Sequence, residues 1–192
     1  MKELHPDLKR IIISSESIQT RVSEIANNIS KDYADKKNIY IIGILKGAFI
    51  FLADLTRELS VPHVVDFMAV SSYGKTATSS GAVRIMMDLR EPIEGKHVLI
   101  VEDIVDTGHT LNYLHRTLKG RKPASLQTCV LLQKKRESQK VPIHYLGFDI
   151  PDVWVVGYGL DYADGYRTLP FIAELKPKIY KRTTESTDPG NK

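Results

Sequence analysis

"VLIVEDIVDTGHTL", residues 98–111, decides the fold because it changes character twice within one short stretch. Val98, Leu99, Ile100 and Val101 form an unbroken apolar run. A strand of that kind is covered on both faces, as strands of parallel sheets are. Glu102, Asp103 and Asp106 then fall within five positions, and a Thr-Gly-x-Thr turn follows at once. Beyond it Leu111, Leu114 and Leu118 recur at helical spacing up to Gly120, which marks a helix and its end. The stretch reads as strand, acidic strand end, anion-sized turn and helix.

The flanking sequence repeats the strand-then-helix pattern. Ile18, Val22, Ile25 and Ile29 share one helical face behind Ser14 or Ser15, either of which is a natural N-cap. "NIYIIGILKGA" (38–48) is an apolar strand that breaks at Lys46-Gly47, and "FIFLADLTREL" (49–59) is a buried helix. "HVVDFMAVSS" (63–72) is a second strand, followed by "YGKTATSSGAV" (73–83), a small, polar loop without periodicity. "RIMMDL", "SLQTCVLLQ" and "VWVVGYGL" complete the strands. Such alternation predicts an α/β fold with a mainly parallel sheet flanked by helices. Ligands of such sheets bind beyond the carboxyl ends of the strands, where nearly every unusual residue of this chain falls.

At 192 residues the chain suits one substantial core, with 42% hydrophobic and 26% charged residues. The net charge of +4 fits small polyanionic substrates and is too weak to argue for nucleic acid. "MKELHPDLKR" is neither a secretory signal nor a transit peptide, and no apolar run reaches membrane-spanning length, so a cytoplasmic protein is expected. Cys129, the single cysteine, lies in an apolar strand and reads as a buried structural thiol. The six histidines lack metal-site spacing. Only the tail "KRTTESTDPGNK" (181–192) looks unstructured.

The chemistry concentrates in the opening stretch. Backbone N–H groups of Asp106-Thr107-Gly108-His109-Thr110, two threonine hydroxyls and a helix N-terminus make a phosphate cradle. The GxxxxGK[ST] spacing of a P-loop is missing, and by itself the turn is equally a helix-capping turn. Glu102 and Asp103 end an apolar strand and need a polar or cationic partner. Vicinal sugar hydroxyls, directly or through Mg²⁺, are such partners. A phosphate beside those hydroxyls describes a ribose 5-phosphate.

The same stretch resembles the phosphoribosyl-pyrophosphate (PRPP) signature of type I phosphoribosyltransferases: four apolar residues, two acids, two apolar residues, then Asp-Thr-Gly-x-Thr. "GILKGAFIFLADL", "MAVSSYG", "VLLQKK" and "VWVVGYGLDYADGYRTLPFIAEL" resemble further segments of the hypoxanthine-guanine phosphoribosyltransferases of purine salvage, in their bacterial form. The resemblance runs from about residue 10 to 180. Trp154 departs from it, since phenylalanine or tyrosine is expected there; the larger ring still suits stacking on a base.

That resemblance implies a type I phosphoribosyltransferase fold over residues 1–192, with a core at about 37–150 and a small hood. The N-terminal segment and about 151–180 would build the hood. It also implies transfer of 5-phosphoribosyl from PRPP to N9 of hypoxanthine or guanine, giving IMP or GMP and pyrophosphate. Glu102, Asp103, Asp106, Thr107, Gly108, His109 and Thr110 would hold the ribose phosphate. Lys46, Gly47, Ser72 and Arg167 would hold pyrophosphate, with a cis peptide between Lys46 and Gly47. Asp161, Glu102 and Asp103 would carry Mg²⁺. Lys134, Trp154 and Val155 would contact the purine, Asp106 would be the general base near N7, and Tyr73 would close over the centre on a mobile loop. A homodimer or homotetramer is implied as well.

On residue type alone several of these have plainer readings. Lys46 is also a surface lysine after a strand, Asp161 and Arg167 a surface ion pair, Asp106 an N-cap, Trp154 core, and Lys134 one of several solvated cations. Rival functions are a phosphoribosyltransferase for xanthine or another base, and a regulatory protein that keeps the PRPP fold to bind nucleotides and RNA. The latter wants a broad basic face that the modest charge does not supply.

Overall fold

Ser14 begins the first helix as its N-cap: its side chain accepts from the Ser17 N–H at 3.2 Å. The structure, a computed structural model, describes residues 4–72, 83–135 and 142–181. Tyr73, the loop it belongs to through residue 82, and the tail from residue 182 lie outside the described residues.

The elements in chain order are β1 (Leu8–Ile13), α1 (Ser15–Asp32), β2 (Ile39–Leu45), α2 (Phe49–Glu58), β3 (His63–Ser72), β4 (Val83–Met87) and β5 (His97–Val105). After them come α3 (His109–Lys119), β6 (Ser125–Lys134), β7 (Tyr145–Ile150), β8 (Val155–Val156), β9 (Ile172–Leu175) and α4 (Pro177–Lys181). A six-stranded sheet has the order β4-β3-β2-β5-β6-β7, parallel except for the antiparallel β4.

Strand periodicity builds the two cores. Ile39, Ile41, Leu99, Val101, Cys129 and Leu131 point to one face, where Ile18, Val22, Ile25 and Ile29 of α1 and Phe51 and Leu55 of α2 cover them. Tyr40, Ile42, Ile44, Val98, Ile100 and Val130 alternate to the other face, beneath Leu111, Leu114 and Leu118 of α3. Cys129 is fully buried, and burial drives its thiol pKa far up, as a structural thiol requires.

A second sheet of three antiparallel strands, β1-β9-β8, was not legible in the sequence. The expectation that "VWVVGYGL" adds a parallel strand to the main sheet is corrected here. Only Val155 and Val156 are strand, paired with Glu174 and Ala173 of β9, because the chain doubles back through a Gly157–Leu160 bridge. Glu174, buried among strands, receives Lys9 Nζ and Arg10 Nε at 2.8 Å each, which clips β1 to β9. This small sheet stands over the carboxyl edge of the large one. Tyr158 ties it to α2 by donating to Asp54 Oδ2 at 2.6 Å.

Candidate active site

The parallel registers bring the ends of β2 and β5 side by side. Gly43 pairs with Val101, so the chain leaving Leu45 runs past Glu102 and Asp103. Gly47 sits so close to Asp103 that a Cβ there would lie 1.6 Å from Oδ2, which only glycine avoids. A Cβ on Gly159 would meet the Gly47 carbonyl oxygen at 2.0 Å, so the two backbones touch. A cis peptide bond is present here, but at Leu45–Lys46. The expected position, Lys46–Gly47, is one residue too late, because the turn begins at the last residue of β2.

Glu102 is only 8% exposed, and its Oε2 has no hydrogen-bond partner among the described residues. Burial raises its pKa well above the usual carboxyl value, and the adjacent Asp103 adds to the rise. Asp103 is half-buried and also raised by burial. The N–H groups of Ile104 and of Asp103 itself, together with Arg167, hold it partly down. The unpartnered Glu102 Oε2 is a hard oxygen that would fit a hard cation or a hydrogen-bond donor. Among the described residues no group of three or more His, Cys, Asp or Glu forms a ready metal cage.

The turn after β5 is held open. Gly108 is the N-cap of α3 with φ 80°, in the left-handed region, and no side chain caps the helix. Asp106 is therefore not the N-cap that its position before Thr-Gly allows. The first amides of α3 face a cavity of about 250 Å³ lined by residues 102–111, including Thr107, Gly108, His109 and Thr110. Backbone donors, two hydroxyls and the positive end of a helix are groups of the kind that attract an anion.

A second cavity of about 240 Å³ adjoins it and shares Asp103, Ile104 and Asp106, with Lys134, Trp154, Val155, Leu160 and Asp161 completing the lining. Lys134 is not a solvated cation. Its side chain is 11% exposed, and its ammonium lies 3.1 Å from Asp106 Oδ2 and 3.5 Å from Asp152 Oδ1. Trp154 stacks on Tyr180 with centroids 5.3 Å apart and meets Tyr162 edge-on, yet stays 45% exposed. Val155 of β8 also lines this cavity.

Arg167 reaches this edge from the segment between β8 and β9 and is largely buried, with 17% of its side chain exposed. Its guanidinium donates to the Gly159 carbonyl at 2.9 Å and pairs with Asp161 at 2.9 Å and Asp164 at 2.8 Å. Asp164 also receives Lys46 Nζ at 3.0 Å. Hydrogen bonds from Arg167 first and Lys46 second hold the Asp164 carboxyl below its ordinary pKa. Sequence reasoning missed both Asp164 and Asp152. Each is an ordinary aspartate in a turn, and only the neighbouring cations give it a task. Ser72 ends β3 opposite Val83, beyond the same carboxyl edge, while its side chain and Tyr73 lie outside the described residues.

Strand ends, acidic pair, anion turn and second cavity share one edge of the sheet. A family model of the phosphoribosyl transferase domain matches residues 14–163. The chain belongs to that family. Among its relatives are the hypoxanthine-guanine phosphoribosyltransferase of Dictyostelium discoideum, 51% identical over 91% of this chain and 99% of that protein, and that of Mycobacterium tuberculosis, 47% identical over 93% and 92%. The solved hypoxanthine phosphoribosyltransferase of Trypanosoma cruzi in complex with IMP superposes with a TM-score of 0.86 at 45% identity, covering 93% of this chain and all of that one. Within this phosphoribosyltransferase family fold, the sheet edge described above is the face that carries both cavities.

Proposed function

We propose that this chain is a purine-salvage hypoxanthine-guanine phosphoribosyltransferase, which joins N9 of hypoxanthine or guanine to the anomeric carbon of PRPP. One observation carries the reading: the anion cavity and the cavity beside Lys134 and Trp154 share Asp103, Ile104 and Asp106. A ribose whose 5-phosphate occupies the first cavity would present its anomeric carbon to a base in the second. The relatives' printed activities, and the IMP bound by the T. cruzi protein, support the same substrates.

In this reading Thr107, Gly108, His109 and Thr110 hold the 5-phosphate through amides and hydroxyls. Glu102 and Asp103 accept from the ribose hydroxyls, which would give the unpartnered Oε2 of Glu102 its missing donor. Lys46, Gly47, Ser72 and Arg167 hold the pyrophosphate, and Tyr73 covers the centre to keep water away from the reacting carbon. Asp161 on one side, and Glu102 and Asp103 on the other, would be the residues that hold magnesium, which would supply positive charge against the leaving pyrophosphate. Asp106, whose Oδ2 lies 3.1 Å from the Lys134 ammonium, takes a proton at purine N7. Lys134 donates to the 6-oxo group, Trp154 stacks on the ring, and the Val155 backbone meets the 2-position.

We read residues 1–192 as one domain, with the small sheet as its hood over a core at about 37–150. No helix among the described residues is long and apolar enough to cross a membrane, and we place the protein in the cytoplasm. A homodimer or homotetramer is the assembly we propose. Incubation with PRPP, Mg²⁺ and each purine in turn, followed by nucleotide absorbance, tests the function. IMP and GMP should form, adenine should not react, and excess EDTA should abolish turnover. No nucleotide from any 6-oxopurine, or activity unchanged in EDTA, would refute the reading or its metal.

A further inference from the structure

We propose that Asp164 is a built-in competitor for the pyrophosphate: its carboxylate occupies the two cations that the diphosphate must reach. This rests on the function proposed above, which assigns Lys46 and Arg167 to that group.

Lys46 and Arg167 come from distant parts of the chain, yet a single oxygen holds both. Asp164 Oδ1 is 3.0 Å from Lys46 Nζ and 2.8 Å from Arg167 Nη2. A carboxylate oxygen between an ammonium and a guanidinium fork occupies the place that a phosphate oxygen would take. The turn keeps it there. Ala163 and Asp164 both have φ in the left-handed region, 50° and 60°, and the Asp164 amide donates to Asp161 Oδ2 at 2.8 Å.

The contact is built to be lost. Lys46 and Asp164 are each 69% exposed, so their attraction is screened and weak. Arg167, by contrast, is anchored by Gly159 and Asp161 and stays in place when Asp164 leaves. A diphosphate brings more charge and more oxygens than one carboxylate and displaces it. When the diphosphate departs, Asp164 returns to both cations. The residue thereby lowers affinity for the leaving group and assists its release.

Calorimetric titration of wild type, Asp164→Asn and Asp164→Glu with magnesium pyrophosphate tests this. Asparagine tolerates the left-handed φ, so the change removes charge without disturbing the turn. Asp164→Asn should bind pyrophosphate roughly two- to ten-fold more tightly, the range expected from two partly exposed ion pairs. The gain should shrink at high salt, and Asp164→Glu should return affinity towards wild type. Equal or weaker binding by Asp164→Asn, with wild type binding normally, would overturn the proposal alone. It would make Asp164 a residue that aligns the cations. Wild type that binds no pyrophosphate would overturn the proposal together with the functional reading beneath it.

Discussion

Glu102→Gln should make the ligand-free protein more stable while removing its activity. Glu102 is 8% exposed, lies beside Asp103, and has one oxygen without a hydrogen-bond partner among the described residues. Glutamine keeps the shape and cannot ionise. Removing a buried, half-satisfied carboxylate should return about 1–3 kcal/mol. For a chain of this size each kcal/mol moves Tm by about 2–4 °C, so a rise of about 2–12 °C is expected at pH 8. The sign follows from proton linkage. The folded pKa is raised above the usual 4.5, so the native state holds more protons than the unfolded state above that pH. Wild-type stability therefore falls as pH climbs from about 4.5 towards the raised value, by at most about 1.4 kcal/mol per pH unit. Thermal melts followed by circular dichroism, run on both proteins from pH 4.5 to 8.5, should show curves that meet at the acid end and diverge upward. A Tm difference independent of pH, or a variant less stable at pH 8, would refute the reasoning. The accompanying loss of activity would show that the site keeps this acid at the expense of stability.

Asp106→Asn should leave PRPP binding intact and lower kcat by ~10²–10⁴-fold, read from presteady-state bursts because product release can mask the chemical step. An unchanged burst rate would remove Asp106 from proton transfer. Lys134→Met should lower kcat/KM for hypoxanthine and guanine roughly 10–100-fold and narrow the gap to adenine, since a 6-oxo group loses its donor. Wild-type kcat/KM for both bases would take Lys134 out of the site.

Most of the large sheet was legible in the sequence because its central strands repeat one device, an apolar run that ends in polar residues and meets a helix. β2 and β5 follow it, β6 shows the apolar run without the helix, and α1, α2 and α3 show their buried faces at helical spacing, whereas β7, "YLGFDI", alternates too weakly to be read as a strand. The small sheet was not legible. β1 reads "LKRIII" and β9 reads "IAEL", too short and too mixed to separate from loop, and their pairing spans most of the chain. Lys134 shows what residue type leaves open. Sequence puts it first in "KKR", a run of cations, and only the carboxylates of Asp106 and Asp152 distinguish it from its neighbours. Asp164 carries no local signal at all, because both of its partners are brought in by the fold.

The pairing of β1 with β9 also sets an order of assembly. Residues 8–13 leave the ribosome long before residues 172–175 and have no strand partner until those have been made. The six strands of the large sheet are all synthesised in that interval, so the core can collapse while the first strand waits. Val155, one wall of the second cavity, pairs with Glu174 and is fixed in the same late step. The nascent chain thus acquires its anion turn early and its neighbouring cavity last.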